Sequence, residues 1–136
     1  MSESVRRYFT EAIDGGKAEV LSELFTKNCA IHRPELEING IDDFTKFISG
    51  VPRVFSTFKT TIHDMFRMED RVAVRLSHDV TVRDKLHSRL GVHETPGKIV
   101  SWDAIAIFRM EDSMIAEEWV IRDELGMLLN ADVFSV

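Results

Sequence analysis

Apolar side chains recur at helical spacing in the first third of the chain. They predict helices over residues 4–13 and 17–25 and a third helix that follows Gly40. Between the second and third helices, residues 29–32 form a short apolar run that predicts a strand. His32 ends this run, and spacing alone leaves open whether it has a structural or a functional role.

The third helix is the most aromatic of the three. Asp42 or Asp43 is expected to cap its start, and Pro52 to bend or shorten it. Its inward-facing residues are predicted to be Phe44, Phe47, Ile48, Val51, Val54 and Phe55. Such a helix either packs only against the core or forms the roof of an apolar pocket over a sheet.

From residue 58 onward the apolar positions alternate. This pattern predicts strands over residues 60–68, 71–82, 99–110 and 115–123, mostly joined by tight turns, and a last helix over residues 124–129. The first two strands are expected to pair as a hairpin. Helices that precede and follow a run of strands indicate an α+β fold.

Two positions refine the picture of the sheet. The strand over residues 99–110, which includes Trp102, has apolar side chains on both faces and is therefore expected to be central. His78 interrupts the otherwise apolar face of the strand over residues 71–82. It either bonds a core partner or faces a cavity, and both interpretations remain open.

The most charged segment, residues 83–96, predicts a mobile loop that serves as a lid or an interface. His87 and His93 lie in it, but no third ligand follows at a recognisable spacing. The sequence therefore predicts no metal site.

The first candidate for chemistry is Asp123, at the end of the last strand. Alternation along that strand places it on the same face as Trp119 and Ile121. A carboxylate beside an indole and an aliphatic side chain is costly to bury unless it is hydrogen-bonded or has a raised pKa. Asp123 is therefore either an acid-base group or simply the cap of the following helix.

Composition narrows the class of protein. With 136 residues, 44% hydrophobic and 29% charged, the chain is expected to fold as one globular domain. A net charge of -6 without a basic cluster argues against nucleic acid as a partner, and no apolar run is long enough to span a membrane. No secretory signal is evident and Cys29 has no disulfide partner, so a cytoplasmic location is expected.

Several short motifs occur in a characteristic order along the chain. They are Arg6-Arg7-Tyr8-Phe9, Gly15-Gly16, the segment 28–34 with His32, the Gly40 helix and the ending Glu118-Trp119-Val120-Ile121-Arg122-Asp123. With this element order the chain resembles the SnoaL-like polyketide cyclases, within the superfamily of nuclear transport factor 2 and ketosteroid isomerase. The resemblance covers nearly the whole chain. It implies a single domain, residues 1–136, in which a curved, mostly antiparallel sheet wraps around the N-terminal helices and leaves a conical pocket.

The resemblance also implies a site. It places the general acid and base on Asp123 and a histidine of the same pocket on His32. It implies no cofactor, a small apolar ligand and a homodimer. The residues expected to bind the ligand are Trp119, Trp102, His78, Phe44, Phe47 and Phe55.

One segment departs from the family pattern, since residues 82–89 are charged and lack the Gly-Thr-His of the cyclases. Three functions therefore remain open. The chain is a cofactor-independent cyclase or isomerase, a non-catalytic module that binds a small apolar ligand, or a dimerisation domain whose interface includes Arg75, Ser77 and Thr81.

Overall fold

The computed structural model describes residues 3–134. The helical elements are α1 (Glu3–Arg7), which continues as a π-helix (Tyr8–Asp14), a 3-10 turn (Ala18–Val20), α2 (Leu21–Leu24), α3 (Ile41–Ser49), α4 (Val51–Val54) and α5 (Glu124–Asn130). The strands are β1 (Phe25–His32), β2 (Glu37–Asn39), β3 (Phe55–Met68), β4 (Arg71–Val82), β5 (Lys85–Ser88), β6 (Gly91–Glu94), β7 (Ile99–Glu111) and β8 (Met114–Arg122).

Six strands form one sheet in the order β2-β1-β8-β7-β4-β3. The strands β1 and β8 pair in parallel, and the other neighbouring strands of this sheet are antiparallel. The predicted β3–β4 hairpin and the central place of β7 are confirmed, and so is the α+β class. No helix within residues 3–134 is long and apolar enough to cross a membrane.

The helices pack on one face of the sheet, called here the inner face; the opposite face is the outer face. Alternate residues of β4 and β7, such as Leu76 and Phe108, are buried on the inner face. They meet an aromatic cluster in which Tyr8 packs edge-on against Phe25 and Phe108. A smaller apolar cluster lies under α5.

The third predicted helix starts without the expected cap, but it is shortened near Pro52 as predicted. Gly40 precedes α3 with φ 92°, a backbone conformation that favours glycine, and no side chain caps the helix, so the expected cap by Asp42 or Asp43 is wrong. Pro52 lies in the separate short helix α4, and the chain enters β3 directly afterwards. The proline thus shortens the helix as expected.

The predicted loop over residues 83–96 is wrong, because it contains the hairpin β5–β6. Leu86 of this hairpin is 1% exposed, whereas the other residues of its two strands are exposed or only partly buried. A single buried apolar side chain in the two strands of the hairpin is too weak an alternation to be recognised in a charged segment.

The predicted face of β8 is also wrong. Glu118 is fully buried on the inner face, and Ile121 is 69% exposed on the outer face together with Trp119. The expectation took the more apolar set of alternate residues as the inner one. In this strand the more polar set, which includes Arg122, faces inward.

Candidate functional site

An apolar cavity lies between α3, α4 and the β5–β6 hairpin and is called here the mouth cavity. Its volume is about 590 Å³. Its walls are mostly apolar, with Leu36, Phe47, Val51, Val54, Phe55 and Leu86. A concave apolar space of this size suits a small organic molecule.

Two arginines in the wall of the mouth cavity, Arg89 and Arg122, both bond the carboxylate of Glu124. Arg89 donates from Nε to Glu124 at 2.8 Å, and Arg122 donates to the same carboxylate at 3.1 Å. Burial favours the neutral form of Glu124, but the hydrogen bonds from both arginines outweigh it and lower its pKa. Arg122 Nε is buried without a partner among residues 3–134, so this cavity-lining side chain retains an N–H to donate.

Deeper in the fold, a buried carboxylate bonds a buried arginine. Arg33 donates to Glu118 at 3.3 Å and to the Tyr8 hydroxyl at 3.0 Å. Burial raises the pKa of Glu118, an effect that Arg33 and Tyr8 only partly offset. Glu118 therefore holds a proton more readily than a solvated glutamate does.

A second polar chain reaches the same interior from the π-helix. Asp14 accepts from the Thr60 backbone N–H at 2.9 Å and from its hydroxyl at 2.7 Å. The same hydroxyl lies 2.9 Å from His78 Nδ1. Burial raises the pKa of Asp14.

His78 is enclosed by aromatic rings. The centroids of Phe58 and Trp102 lie 4.9 and 5.4 Å from that of the imidazole. Burial, with Arg33 and Arg122 nearby, lowers the pKa of His78 to about 3, so the ring is neutral at pH 7. Both interpretations of His78 hold, because it bonds Thr60 and also lines a small interior cavity.

Arg33 and Phe47 separate this interior from the mouth cavity. The guanidinium carbon of Arg33 lies 5.2 Å from the centroid of the Phe47 ring, and Phe47 lines the mouth cavity. The acid-base groups and the apolar cavity are thus neighbours across one stacked pair.

Asp123 does not point into this interior. It is exposed, and its side chain accepts a hydrogen bond at 2.8 Å from the backbone N–H of Gly126, at the start of α5. Asp123 instead lines a separate cavity of about 480 Å³ with Ile105 and Ile121, so its predicted position beside the inner-face groups is wrong. The cause is that the two faces of β8 are exchanged relative to the prediction, so residues expected on the inner face lie on the outer one. The capping interpretation describes its observed hydrogen bond.

His32 is likewise displaced from its expected position, since it lies on the outer face. Its ring stacks on Trp119 with centroids 5.4 Å apart, and its nitrogens bond Glu37 and Glu117. The hydrogen bond with Glu117 raises the pKa of His32, and Glu37 adds to the effect. His32 and Asp123 therefore do not share a pocket with each other or with His78.

The aromatic residues expected to bind a ligand have different surroundings. Phe47 and Phe55 line the mouth cavity, while Trp102 packs behind Phe55 with ring centroids 6.0 Å apart. Phe44 is fully buried in the core, and Trp119 lies on the outer face beneath Arg71. Ligand contact stays a prediction for Phe47 and Phe55.

Sequence reasoning missed Arg33, Glu118 and Arg122 as interior groups. A signal was available for Glu118. Glu117 and Glu118 are adjacent in β8 and point to opposite faces, so one of the two must lie on the inner face. Arg33 follows the end of β1, and outside a strand or helix no periodicity indicates where its side chain points.

No group of three His, Cys, Asp or Glu residues within residues 3–134 is arranged to hold a metal ion. Cys29 is buried and free.

Comparisons with known proteins agree on the fold. TsrD from Streptomyces laurentii superposes with a TM-score of 0.81 at 21% identity, covering 97% of this chain and 97% of that one. IdmH from Streptomyces antibioticus gives 0.78 at 23% identity, covering 96% and 97%. A protein with a ketosteroid isomerase-like fold from Catenulispora acidiphila, solved in complex with trimethylamine, gives 0.80 at 12% identity, covering 98% of each chain.

No curated protein sequence matches the chain. At these identities the structural matches establish the fold, which is that of nuclear transport factor 2 and ketosteroid isomerase. The family model for SnoaL-like polyketide cyclase matches residues 3–130. The chain therefore belongs to the SnoaL-like polyketide cyclase family.

Proposed function

We propose that this protein is a cofactor-independent cyclase or isomerase that acts by general acid-base catalysis on a small apolar carbonyl compound. The observation that carries the proposal is a buried carboxylate with a raised pKa, Glu118, next to an apolar cavity of about 590 Å³. A base works best when its pKa approaches the working pH, and burial moves Glu118 in that direction.

In this mechanism Glu118 removes a proton from the carbon next to the substrate carbonyl. The electron pair of the broken C–H bond moves toward the carbonyl oxygen, where negative charge develops. Arg122 stabilises that oxygen, because its Nε–H has no partner within the described residues and its side chain lines the cavity. The protonated Glu118 then returns the proton to another carbon of the enolate. Alternatively, the enolate carbon attacks a second carbonyl of the substrate and closes a ring: the π bond of that C=O breaks, and its oxygen takes the proton from Glu118.

The apolar walls select the substrate. Phe47 and Phe55 offer flat surfaces with few rotamers to immobilise, which suits a small ring system. These steps use only side chains of the chain itself, and the proposal therefore includes no cofactor. The catalytic roles that the family resemblance assigned to Asp123 and His32 pass in this proposal to the interior groups.

A non-catalytic binding module is the second candidate. It is favoured by the enclosure of Glu118, which is 0% exposed behind the stacked pair of Arg33 and Phe47. Catalysis by Glu118 requires this pair to move apart when substrate enters, whereas ligand binding in the mouth cavity does not.

The test uses β-tetralone, a small aromatic ketone with acidic α-protons, in deuterium oxide. Wild-type protein is expected to accelerate α-proton exchange, followed by proton NMR, above the buffer rate. Glu118→Gln is expected to lose about 100-fold of that acceleration, whereas the matched control Glu117→Gln, on the outer face of the same strand, keeps it.

Binding of the same ketone is measured in parallel by quenching of tryptophan fluorescence. Binding without any acceleration of exchange would refute catalysis on ketones of this class and support the binding module. Equal acceleration by wild type and Glu118→Gln would remove Glu118 from the mechanism.

We also propose a homodimer formed through the outer face. Three isoleucines lie next to one another there by strand register: Ile105, Ile107 and Ile121, which are 55%, 41% and 69% exposed. A contiguous apolar surface of this kind is typical of an interface between subunits.

A reducing compartment such as the cytoplasm is proposed because the single Cys29 is buried and free.

Analytical ultracentrifugation tests the dimer. Wild type is expected to sediment as a dimer and Ile105→Asp as a monomer, while Ile99→Asp, at the other end of β7, remains dimeric. A monomeric wild type at micromolar concentration would contradict the proposal.

A further inference from the structure

A second, much smaller cavity lies between the π-helix and the inner face of the sheet. Its volume is about 30 Å³, and its wall combines apolar side chains such as Val120 and Ala106 with the polar groups of Arg33, Glu118 and His78. A cavity needs about 10–15 Å³ to hold a water molecule, so this space admits water and is too small for an organic ligand.

Two of the polar groups have unused hydrogen-bonding capacity. Arg33 Nε and Glu118 Oε2 are buried, and neither has a partner within residues 3–134. Arg33 Nε is a donor and a carboxylate oxygen is an acceptor. Leaving such groups unpaired away from water is destabilising, which is why buried polar atoms are almost always satisfied.

The third polar group is His78 Nε2. Whether this nitrogen donates or accepts a hydrogen bond follows from the bonds of Asp14 and Thr60. Asp14, when ionised, only accepts hydrogen bonds, so the single hydroxyl hydrogen of Thr60 is donated to Asp14 at 2.7 Å. The Thr60 oxygen then accepts from His78 Nδ1–H at 2.9 Å. In a neutral ring this leaves Nε2 without a hydrogen, as an acceptor.

We propose that the small cavity binds one ordered water molecule held by Arg33, Glu118 and His78. The water accepts from Arg33 Nε–H and donates its two hydrogens to Glu118 Oε2 and to His78 Nε2. Three hydrogen bonds is the usual number for a buried water. One molecule thus satisfies both unpaired atoms and uses the lone pair of the imidazole.

The bound water joins two polar chains that the protein alone leaves separate. Asp14, Thr60 and His78 form one chain, and Glu118 with Arg33 forms the other. Through the water, a continuous hydrogen-bonded path runs from one carboxyl group to the other. Asp14 and Thr60 are positioning residues in this network, because they set the orientation and tautomer of the imidazole. The water site does not depend on whether the chain is an enzyme.

Two measurements on wild-type protein test the site. In a high-resolution crystal structure, one water is expected within hydrogen-bond distance of Arg33 Nε, Glu118 Oε2 and His78 Nε2. Nitrogen NMR of the imidazole is expected to show a protonated Nδ1 and an unprotonated Nε2 at neutral pH, with an NOE from the ring to a long-lived water.

A matched pair of variants checks the positioning role. Thr60→Val removes the hydroxyl and is expected to shift the imidazole toward the Nε2–H tautomer, while Thr61→Val, exposed on the same strand, leaves the tautomer unchanged. A predominant Nε2–H tautomer in wild type, or a crystal structure with no water within reach of the three atoms, would overturn the proposal. Both wild-type readouts stand even if Thr60→Val does not fold.

Discussion

The two faces of the sheet place histidines in opposite electrostatic environments. His32, on the outer face, bonds two carboxylates, and the hydrogen bond with Glu117 raises its pKa. His78, on the inner face, is enclosed by aromatic rings with arginines nearby, and burial lowers its pKa to about 3. The surroundings thus favour the protonated form of the imidazole at His32 and the neutral form at His78.

The carboxylates of β8 repeat this contrast one residue apart. Glu117, on the outer face, accepts from Arg109 at 3.0 Å and has a lowered pKa owing to its bonds with His32 and Arg109. Glu118, on the inner face, has a raised pKa because it is buried. Desolvation dominates inside and ion pairing dominates outside, so the interior is where acid-base groups with unusual pKa values are concentrated.

The largest expected difference between the faces concerns these two glutamates. Glu118→Ala leaves the buried Arg33 without its carboxylate and is expected to lower the free energy of unfolding by about 3–5 kcal/mol. Glu117→Ala breaks partly exposed ion pairs and is expected to cost less than about 1 kcal/mol. Urea unfolding of both variants measures the contrast, and equal losses would show that the two faces do not differ in this way.

Acid is expected to act next most strongly, through His78. Its pKa is about 3 in the folded protein, against 6.5 for an ordinary histidine, so the unfolded chain binds more protons between these values. Stability therefore falls as the pH drops below 6.5, by up to about 1.4 kcal/mol per pH unit from this group. Urea unfolding as a function of pH measures the slope.

His78→Gln provides the comparison for that experiment. It lacks the titrating ring, so the difference in slope between the variant and wild type isolates the contribution of His78. Parallel slopes between pH 5 and 6.5 would contradict the low pKa of the interior imidazole.

A smaller effect is expected at Asp123. Asp123→Ala removes the side chain that accepts from Gly126 and is expected to cost about 1 kcal/mol. Asp123→Asn should keep most of this stability, because asparagine also caps helices. Thermal unfolding measures both, and an unchanged unfolding temperature in Asp123→Ala would contradict the capping role.

The smallest effect is expected at His32. Its raised pKa means that its stabilising contribution is complete below 6.5 and is lost as the pH rises through the folded value. A partly exposed pair of this kind contributes less than about 1 kcal/mol. NMR titration of the ring should give a pKa above 6.5 that falls in Glu117→Gln, and an unchanged pKa in this variant would contradict the assigned cause.

The sequence by itself determined the fold class and the order of the long strands and the helices around them, but not the short strands β2, β5 and β6. The helical spacing before residue 58 and the alternation after it gave the α+β layout, because each periodicity repeats over enough residues to be distinct. For β4 and β7 alternation also gave the correct inner face. Every second residue from Val100 to Phe108 is apolar and buried, and the same is true from Val72 to Val82 except at His78.

Only the tertiary structure decided which side chains form the candidate site. In β8 the outer face is the more apolar one, so the rule that apolar residues face the core placed Trp119, Ile121 and Asp123 on the wrong side. Either face of a strand can carry apolar residues when something covers it, and a second subunit can cover the outer face. Polarity alone therefore does not identify the inner face. The interior bonds of Glu118 with Arg33 and of Thr60 with Asp14 join residues 85 and 46 positions apart, and no local pattern encodes such contacts.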